Sequence, residues 1–212
     1  MTFIKICGIT NLEDALQAVD AGADALGFNF VPQSPRYIEP TAARKIIDKL
    51  PKQVVTVGVF VNEDSPERVA LIADVAGVSA LQLHGDESPD YCRALSGRYV
   101  IKTLAVRKDF DPQTALAYEV DVIMLDAFDP QMRGGTGNVI DWSLARAVRD
   151  LVPRVMLAGG LSPENIGRAI GAVDPYGADA CSALETSPGK KNTARVRAFL
   201  TVARAAALAV KR

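Results

Sequence analysis

Histidine is nearly absent from this sequence: His84 is the only one in 212 residues. With no second histidine and no HExxH or CxxC spacing, a zinc site would have to be assembled from scattered cysteines and carboxylates, an uncommon ligand set. Cysteine is scarce as well. Cys7, Cys92 and Cys181 are odd in number and widely spaced, which argues against a disulfide framework and fits a reducing compartment. There is no GxxxxGK[ST] loop and no GxGxxG after a strand, so neither NTP hydrolysis nor dinucleotide redox chemistry is expected. Neither sign of charge is in excess. A net charge of -1 leaves no positive field for nucleic acid or an anionic membrane surface. No apolar run is long enough to span a bilayer, and no charged n-region followed by an apolar h-region opens the chain. The expected setting is cytoplasmic.

What is present is a repeating order. Short apolar runs alternate with longer amphipathic segments, and about half of the residues are apolar, enough for a sizeable core without disulfides. Strands are predicted at 3–7, 25–30, 54–60, 78–83, 99–105, 122–125, 155–158 and 178–182. Helices are predicted at 11–21, 41–50, 65–75, 89–95, 112–118, 142–151, 163–170 and 193–210. Thr10 with Glu13 has capping-box spacing, and Ser162 with Pro163 reads as an N-cap followed by proline at the first helical position. The strands are near-continuous apolar runs, as parallel strands covered on both faces should be. Eight β-then-α units close most naturally as a (β/α)8 TIM barrel of the α/β class, one domain over residues 1–212; an open doubly wound sheet is the alternative.

Active sites of such barrels are built at the C-terminal ends of the strands. Chemistry is therefore sought only in residues that close a strand. Cys7 closes the first and Asp126 follows the sixth. A thiolate is a competent base if its pKa approaches the working pH, although a lone cysteine is also a good small buried hydrophobe. Lys5, two residues earlier, shares a face with Cys7 and would favour the thiolate. Asp126 directly after Val122-Ile123-Met124-Leu125 needs either a task or a loop hydrogen bond. Gly159-Gly160 closes strand seven before the helix opening at Ser162, and Ser182-Ala183 closes strand eight. Loops at those two places commonly bind phosphate through backbone N–H groups, though a Gly-Gly pair is also an ordinary turn. Arg36, after strand two, could grip a carboxylate bidentately or stay solvated. Gly134-Gly135-Thr136-Gly137 suits either a lid or a plain surface loop. His84 is expected to be a hydrogen-bonded structural residue, and Cys92 and Cys181 to be packing.

Taken together, these residues resemble the phosphoribosylanthranilate isomerase family. The matching stretches are Lys5-Ile6-Cys7-Gly8-Ile9, Gly27-Phe28-Asn29-Phe30, Ser34-Pro35-Arg36-Tyr37, Gln82-Leu83-His84-Gly85 and Leu125-Asp126. They continue through Gly134-Gly135-Thr136-Gly137, Asp141-Trp142 and Leu157-Ala158-Gly159-Gly160-Leu161 to Glu185 with Ser187-Pro188-Gly189-Lys190. Each is weak alone; the ordered set is specific. The resemblance implies an Amadori rearrangement of a phosphorylated sugar–aromatic amine in tryptophan biosynthesis, with no cofactor and no metal. It implies Asp126 as general acid, Cys7 as general base, Arg36 on the anthranilate carboxylate, and Gly159, Gly160, Ser182 and Ala183 on the phosphate. It leaves a monomer and a homodimer equally open. One departure stands out. Where the family commonly reads Ser-Ser-Gly-Val-Glu, this chain reads Cys181-Ser182-Ala183-Leu184-Glu185, and alanine adds a Cβ where glycine allows close approach or positive φ. The related isomerase of histidine biosynthesis is a second enzymatic reading, but its relatives carry a carboxylate at the end of strand one. A barrel that only binds a sugar phosphate is a third, and it would need no acid–base pair.

Overall fold

In the computed structural model the described residues are 2–107, 109–127 and 140–210. Eight parallel strands close on themselves in sequence order: β1 Phe3–Ile6, β2 Ala25–Asn29, β3 Val55–Phe60, β4 Ala80–Leu83, β5 Tyr99–Val106, β6 Val122–Ala127, β7 Val155–Leu157 and β8 Gly177–Ala180. The seam is the β1–β8 pairing, in register from Phe3↔Gly177 to Ile6↔Ala180. The expected barrel is thus the architecture, and the open sheet is not. Helices α1 Leu12–Asp20, α2 Pro40–Ile47, α3 Pro66–Ala76, α4 Pro89–Arg93, α5 Trp142–Arg149, α6 Ile166–Val173 and α7 Thr193–Val210 follow their strands. The element after β5 is a 3-10 helix, Pro112–Ala117, not the α-helix expected there.

Alternation along each strand makes two apolar cores. One lies between sheet and helices, with Ile4, Ile6, Leu26, Phe28, Leu81 and Leu125 meeting Ala15, Ala43, Val69 and Ile170. The other fills the barrel interior with small or slender side chains, Ala25, Val57, Ala80, Ile101, Met124 and Met156 among them. Lys5 also points inward, as its spacing from Cys7 requires, and is fully buried. No helix among the described residues is long and apolar enough to cross a membrane.

Local chemistry sets the boundaries. α3 starts at Ser65, whose hydroxyl accepts from the Arg68 N–H, and stops at Gly77 with φ +72°. The Thr10–Glu13 capping box does not form. Asn11 caps α1 by accepting from the Asp14 N–H, and Thr10 donates its hydroxyl to the Gly189 carbonyl instead. α6 begins at Ile166, three residues later than expected. The Asn165 amide bonds both the Ser162 N–H and the Gly160 carbonyl, which holds 163–165 as a turn. β8 ends at Ala180, so Ser182 lies past the strand, in a 3-10 turn over Ser182–Leu184. A hairpin not foreseen from the sequence follows, β9 Glu185–Ser187 and β10 Lys190–Lys191. Pro188 and Gly189, the latter at φ +80°, supply the two central residues a type II turn needs.

Candidate active site

A pocket at the C-terminal mouth of the barrel is lined by Cys7, Arg36, Asp126, Gly159, Gly160 and Ser182, together with His84, Asp179 and Cys181. Six of the seven residues proposed from the sequence therefore converge. Ala183 stands just outside the lining. Its backbone is not left-handed, so its Cβ brings no φ strain, and its carbonyl accepts from the Arg195 guanidinium. The glycine-rich stretch at 134–137 lies outside the described residues.

Cys7 sits one residue beyond β1, and its N–H donates to the Ala180 carbonyl at 2.9 Å. Below it Lys5 Nζ pairs with Asp179 Oδ1 at 2.9 Å, both side chains buried. Glycine at 27 makes this packing possible: a Cβ there would stand 2.7 Å from Cys7 Sγ and 3.0 Å from Lys5 Nζ. A hydrogen bond from Cys181, helped by the Lys5 and Lys191 charges, holds the Cys7 thiol well below its ordinary 9.0, although burial works the other way. Cys181 is held well above that value by its bond to the Cys7 sulfur and by burial. Asp179 is pushed up to about 6 by burial, against the pull of Lys5.

Asp126 closes β6 and is buried. His84 Nε2 lies 3.0 Å from its Oδ2. The Gln82 amide nitrogen stands 2.8 Å from His84 Nδ1, and an amide N–H there makes Nδ1 the acceptor. Nε2 then carries the proton that faces Asp126 Oδ2, and His84 donates to Asp126. Asp126 Oδ1 is buried without a hydrogen-bond partner among the described residues. His84 is thus hydrogen-bonded as expected, but to the candidate acid. Its loop is pinned by a buried ion pair: Lys102 Nζ meets Glu87 at 2.6 Å and the Gly85 carbonyl at 2.7 Å, while Glu87 also accepts from the Gly85 and Asn62 N–H groups.

Arg36 is placed by Ser34, whose hydroxyl accepts from the Arg36 N–H. Its Nε and Nη2 grip Glu185 at 2.8–3.0 Å. That uses the side-on edge of the guanidinium and leaves the Nη1–Nη2 edge to meet a second carboxylate. Lys191 Nζ takes Glu185 Oε1 from the other side at 2.8 Å. Asp179, Cys181, Glu185 and Lys191 were missed as a group by sequence reasoning, although Glu185 fell within a quoted motif.

Gly159 and Gly160 take φ of +76° and +61°. A Cβ on Gly159 would stand 2.5 Å from the Ala127 nitrogen and 2.7 Å from Asp126 Oδ1. Gly159→Ala is therefore expected to cost at least the ~1–2 kcal/mol of a left-handed non-glycine residue and to displace the Asp126 carboxylate. Urea unfolding checks the first effect and kcat the second. A variant as stable and active as the parent would mean the turn relaxes freely.

The family model described as N-(5'-phosphoribosyl)anthranilate isomerase matches residues 4–202. The chain belongs to the phosphoribosylanthranilate isomerase family. It is 50% identical over 208 residues to the N-(5'-phosphoribosyl)anthranilate isomerase of Desulforudis audaxviator, covering 97% of this chain and 100% of the relative. The crystal structure of the Thermotoga maritima phosphoribosylanthranilate isomerase is similar at a TM-score of 0.90 and 44% identity, over 97% of this chain and 100% of that one. A phosphoribosylanthranilate isomerase solved in complex with reduced 1-(o-carboxyphenylamino)-1-deoxyribulose 5-phosphate matches at a TM-score of 0.87 and 43% identity, over 97% of this chain and all of that one.

Proposed function

We propose that this chain converts N-(5'-phosphoribosyl)anthranilate to 1-(2-carboxyphenylamino)-1-deoxyribulose 5-phosphate, the isomerase step of tryptophan biosynthesis, with Asp126 and Cys7 as its acid and base. The observation that carries the assignment of roles is the pair itself: a depressed thiol and a carboxylate with one open oxygen line the same pocket. In this reading Asp126 gives its proton from Oδ1 to the ribose ring oxygen, while His84 fixes Oδ2. The ring opens to a protonated imine. The Cys7 thiolate removes the proton from C2 of the sugar, and the enolamine so formed tautomerises to the ketone. A thiolate held in place by Lys5 and Cys181 needs no partner to deprotonate it first.

Binding follows the same map. The free edge of Arg36 takes the anthranilate carboxylate. Gly159, Gly160 and Ser182, with Ala183 behind them, offer backbone N–H groups to the phosphate, where glycine lets the chain approach closely. The setting in this reading is the cytoplasm, with one small phosphorylated substrate, no nucleic acid or membrane partner, and a monomer or homodimer as the working form.

The test is turnover of freshly prepared phosphoribosylanthranilate, followed by loss of anthranilate fluorescence in EDTA. Prompt decay is expected with this substrate. A folded protein that leaves the fluorescence unchanged would sink the reading.

A further inference from the structure

Cys181 moves no proton of the substrate in the chemistry above, yet it stands beside the one sulfur that does. β1 and β8 pair in register through Ile6↔Ala180, and the Cys7 N–H to Ala180 carbonyl bond carries the ladder one step further. Cys7 and Cys181 are the next residues along their two strands. Lys5↔Asp179, two positions earlier on each strand, is an inward-facing pair whose side chains touch, so the period of two puts Cys7 and Cys181 on that same face. Neighbouring strands run about 4.8 Å apart, inside the Cα separation of ~4.4–6.8 Å that a disulfide spans. Each thiol shifts the other's titration, and the Cys181 thiol also donates to Glu185 Oε1 at 3.9 Å. Glycine at position 8 leaves the room, since a Cβ there would stand 2.9 Å from Cys181 Sγ.

The surroundings suit oxidation of this pair. Both residues line the open pocket, so a small oxidant reaches them. Cys181 Sγ lies 3.8 Å from Lys191 Nζ, and Cys7 feels Lys5. The third cysteine, Cys92, is buried in α4 and its thiol is pushed up to about 11 by burial, which leaves it unreactive.

We propose that Cys7 and Cys181 are an oxidisable dithiol, closed to a disulfide by a peroxide and reopened by a thiol reductant, with turnover lost in the closed state. The Cys7 thiolate attacks one peroxide oxygen; the S–O bond forms, the O–O bond breaks, and hydroxide leaves. Cys181 sulfur then attacks the Cys7 sulfenic acid, the S–O bond breaks, and the second oxygen leaves as water once the Cys181 proton is transferred. Two thiols give up two electrons and two protons, and hydrogen peroxide becomes two waters. Loss of the Cys7 negative charge removes what held the Cys181 proton most tightly, while Lys191 remains to favour its thiolate.

Formation of the bond rests on the placement of the two residues side by side at the ends of β1 and β8. Its effect on turnover rests on the reading of Cys7 as base, so the two are measured separately. The purified enzyme is treated with hydrogen peroxide, quenched with catalase, digested without reductant and mapped by mass, beside Cys181→Ser treated identically. The expected result is a Cys7–Cys181 cross-linked peptide, two hydrogens lighter than its parts, with turnover lost and then recovered in dithiothreitol. Cys181→Ser, scored against its own starting activity, should instead accumulate Cys7 two oxygens heavier and recover nothing. Wild-type Cys7 that is over-oxidised as in the variant, or left unmodified under peroxide, would overturn the dithiol. A cross-linked protein that still turns over would overturn the switch and, with it, the base assignment.

Discussion

Asp126→Asn and Cys7→Ala are each expected to lower kcat by about 10²–10⁴-fold, the range lost with a positioned acid or base, and to change KM far less. Asparagine keeps the shape of the carboxylate. Its amide oxygen still accepts from His84 Nε2, so the residue stays in place, and its amide nitrogen takes the position of Oδ1, where it cannot release a proton to the ring oxygen. The loss is thus chemical, not structural, and circular dichroism and a thermal midpoint near the parent's should accompany it. The roles separate by isotope. With substrate deuterated at ribose C2, Cys7→Ser slows proton removal and should show a primary isotope effect. Asp126→Asn slows ring opening and should show none. An isotope effect in Asp126→Asn and not in Cys7→Ser would exchange the roles, and a loss below tenfold in either single variant would remove that residue from the chemistry.

Why Cys7 and Asp126 could be found in the sequence, while their supporting residues could not, is a matter of range. Both close apolar runs that announce parallel strands, and barrel topology sends every such end to one mouth. The strands themselves were legible because short apolar runs such as Val122-Ile123-Met124-Leu125, regularly alternating with amphipathic segments, fit parallel strands covered on both faces. The partners are set by contacts across the seam. Lys5 meets Asp179 and Arg36 meets Glu185 at separations of 174 and 149 residues, and no local pattern records either. Cys181 looked like core because it continues the inward-facing alternation of β8, but it lines the pocket and is only half-buried. In the structure the chain leaves the sheet there for a 3-10 turn. The β9–β10 hairpin has no apolar alternation to betray it; its strands are short, and its turn chemistry at Pro188-Gly189 was visible only as part of a motif. His84 was read locally as a polar residue needing a partner, which is correct. That the partner is Asp126 follows only once β4 and β6 face one cavity.

Lys5→Met is expected to destabilise the fold by about 3–5 kcal/mol at neutral pH, the cost of leaving one member of a buried ion pair alone, and to raise the pH at which Cys7 becomes reactive. The stranded partner is Asp179, already pushed up to about 6 with Lys5 present. An acid whose pKa is higher folded than unfolded holds its proton more tightly in the fold, so its favourable contribution is present at low pH and fades as pH rises from 3.8 through the folded value. Without Lys5 that value rises further. The destabilisation of Lys5→Met should therefore shrink as pH falls from 7 to 5, where Asp179 is neutral, and urea midpoints at the two values test this. Lys5 itself, held above its ordinary 10.5 because Asp179 and Cys7 outweigh burial, contributes stability that is full below 10.5 and is lost only as pH rises through its folded value. The electrostatic role needs its own measurement. Alkylation of Cys7 by iodoacetamide, mapped by mass, should show no step near 9.0 in the parent and a step moved toward 9.0 in Lys5→Met. The double variant Lys5→Met/Asp179→Leu replaces both charges with apolar groups, which is often neutral for stability. It should recover most of the lost stability but not the Cys7 reactivity. Parent-like alkylation in a well-folded double variant would make Lys5 a structural residue and leave the Cys181 hydrogen bond as the main force holding the thiolate.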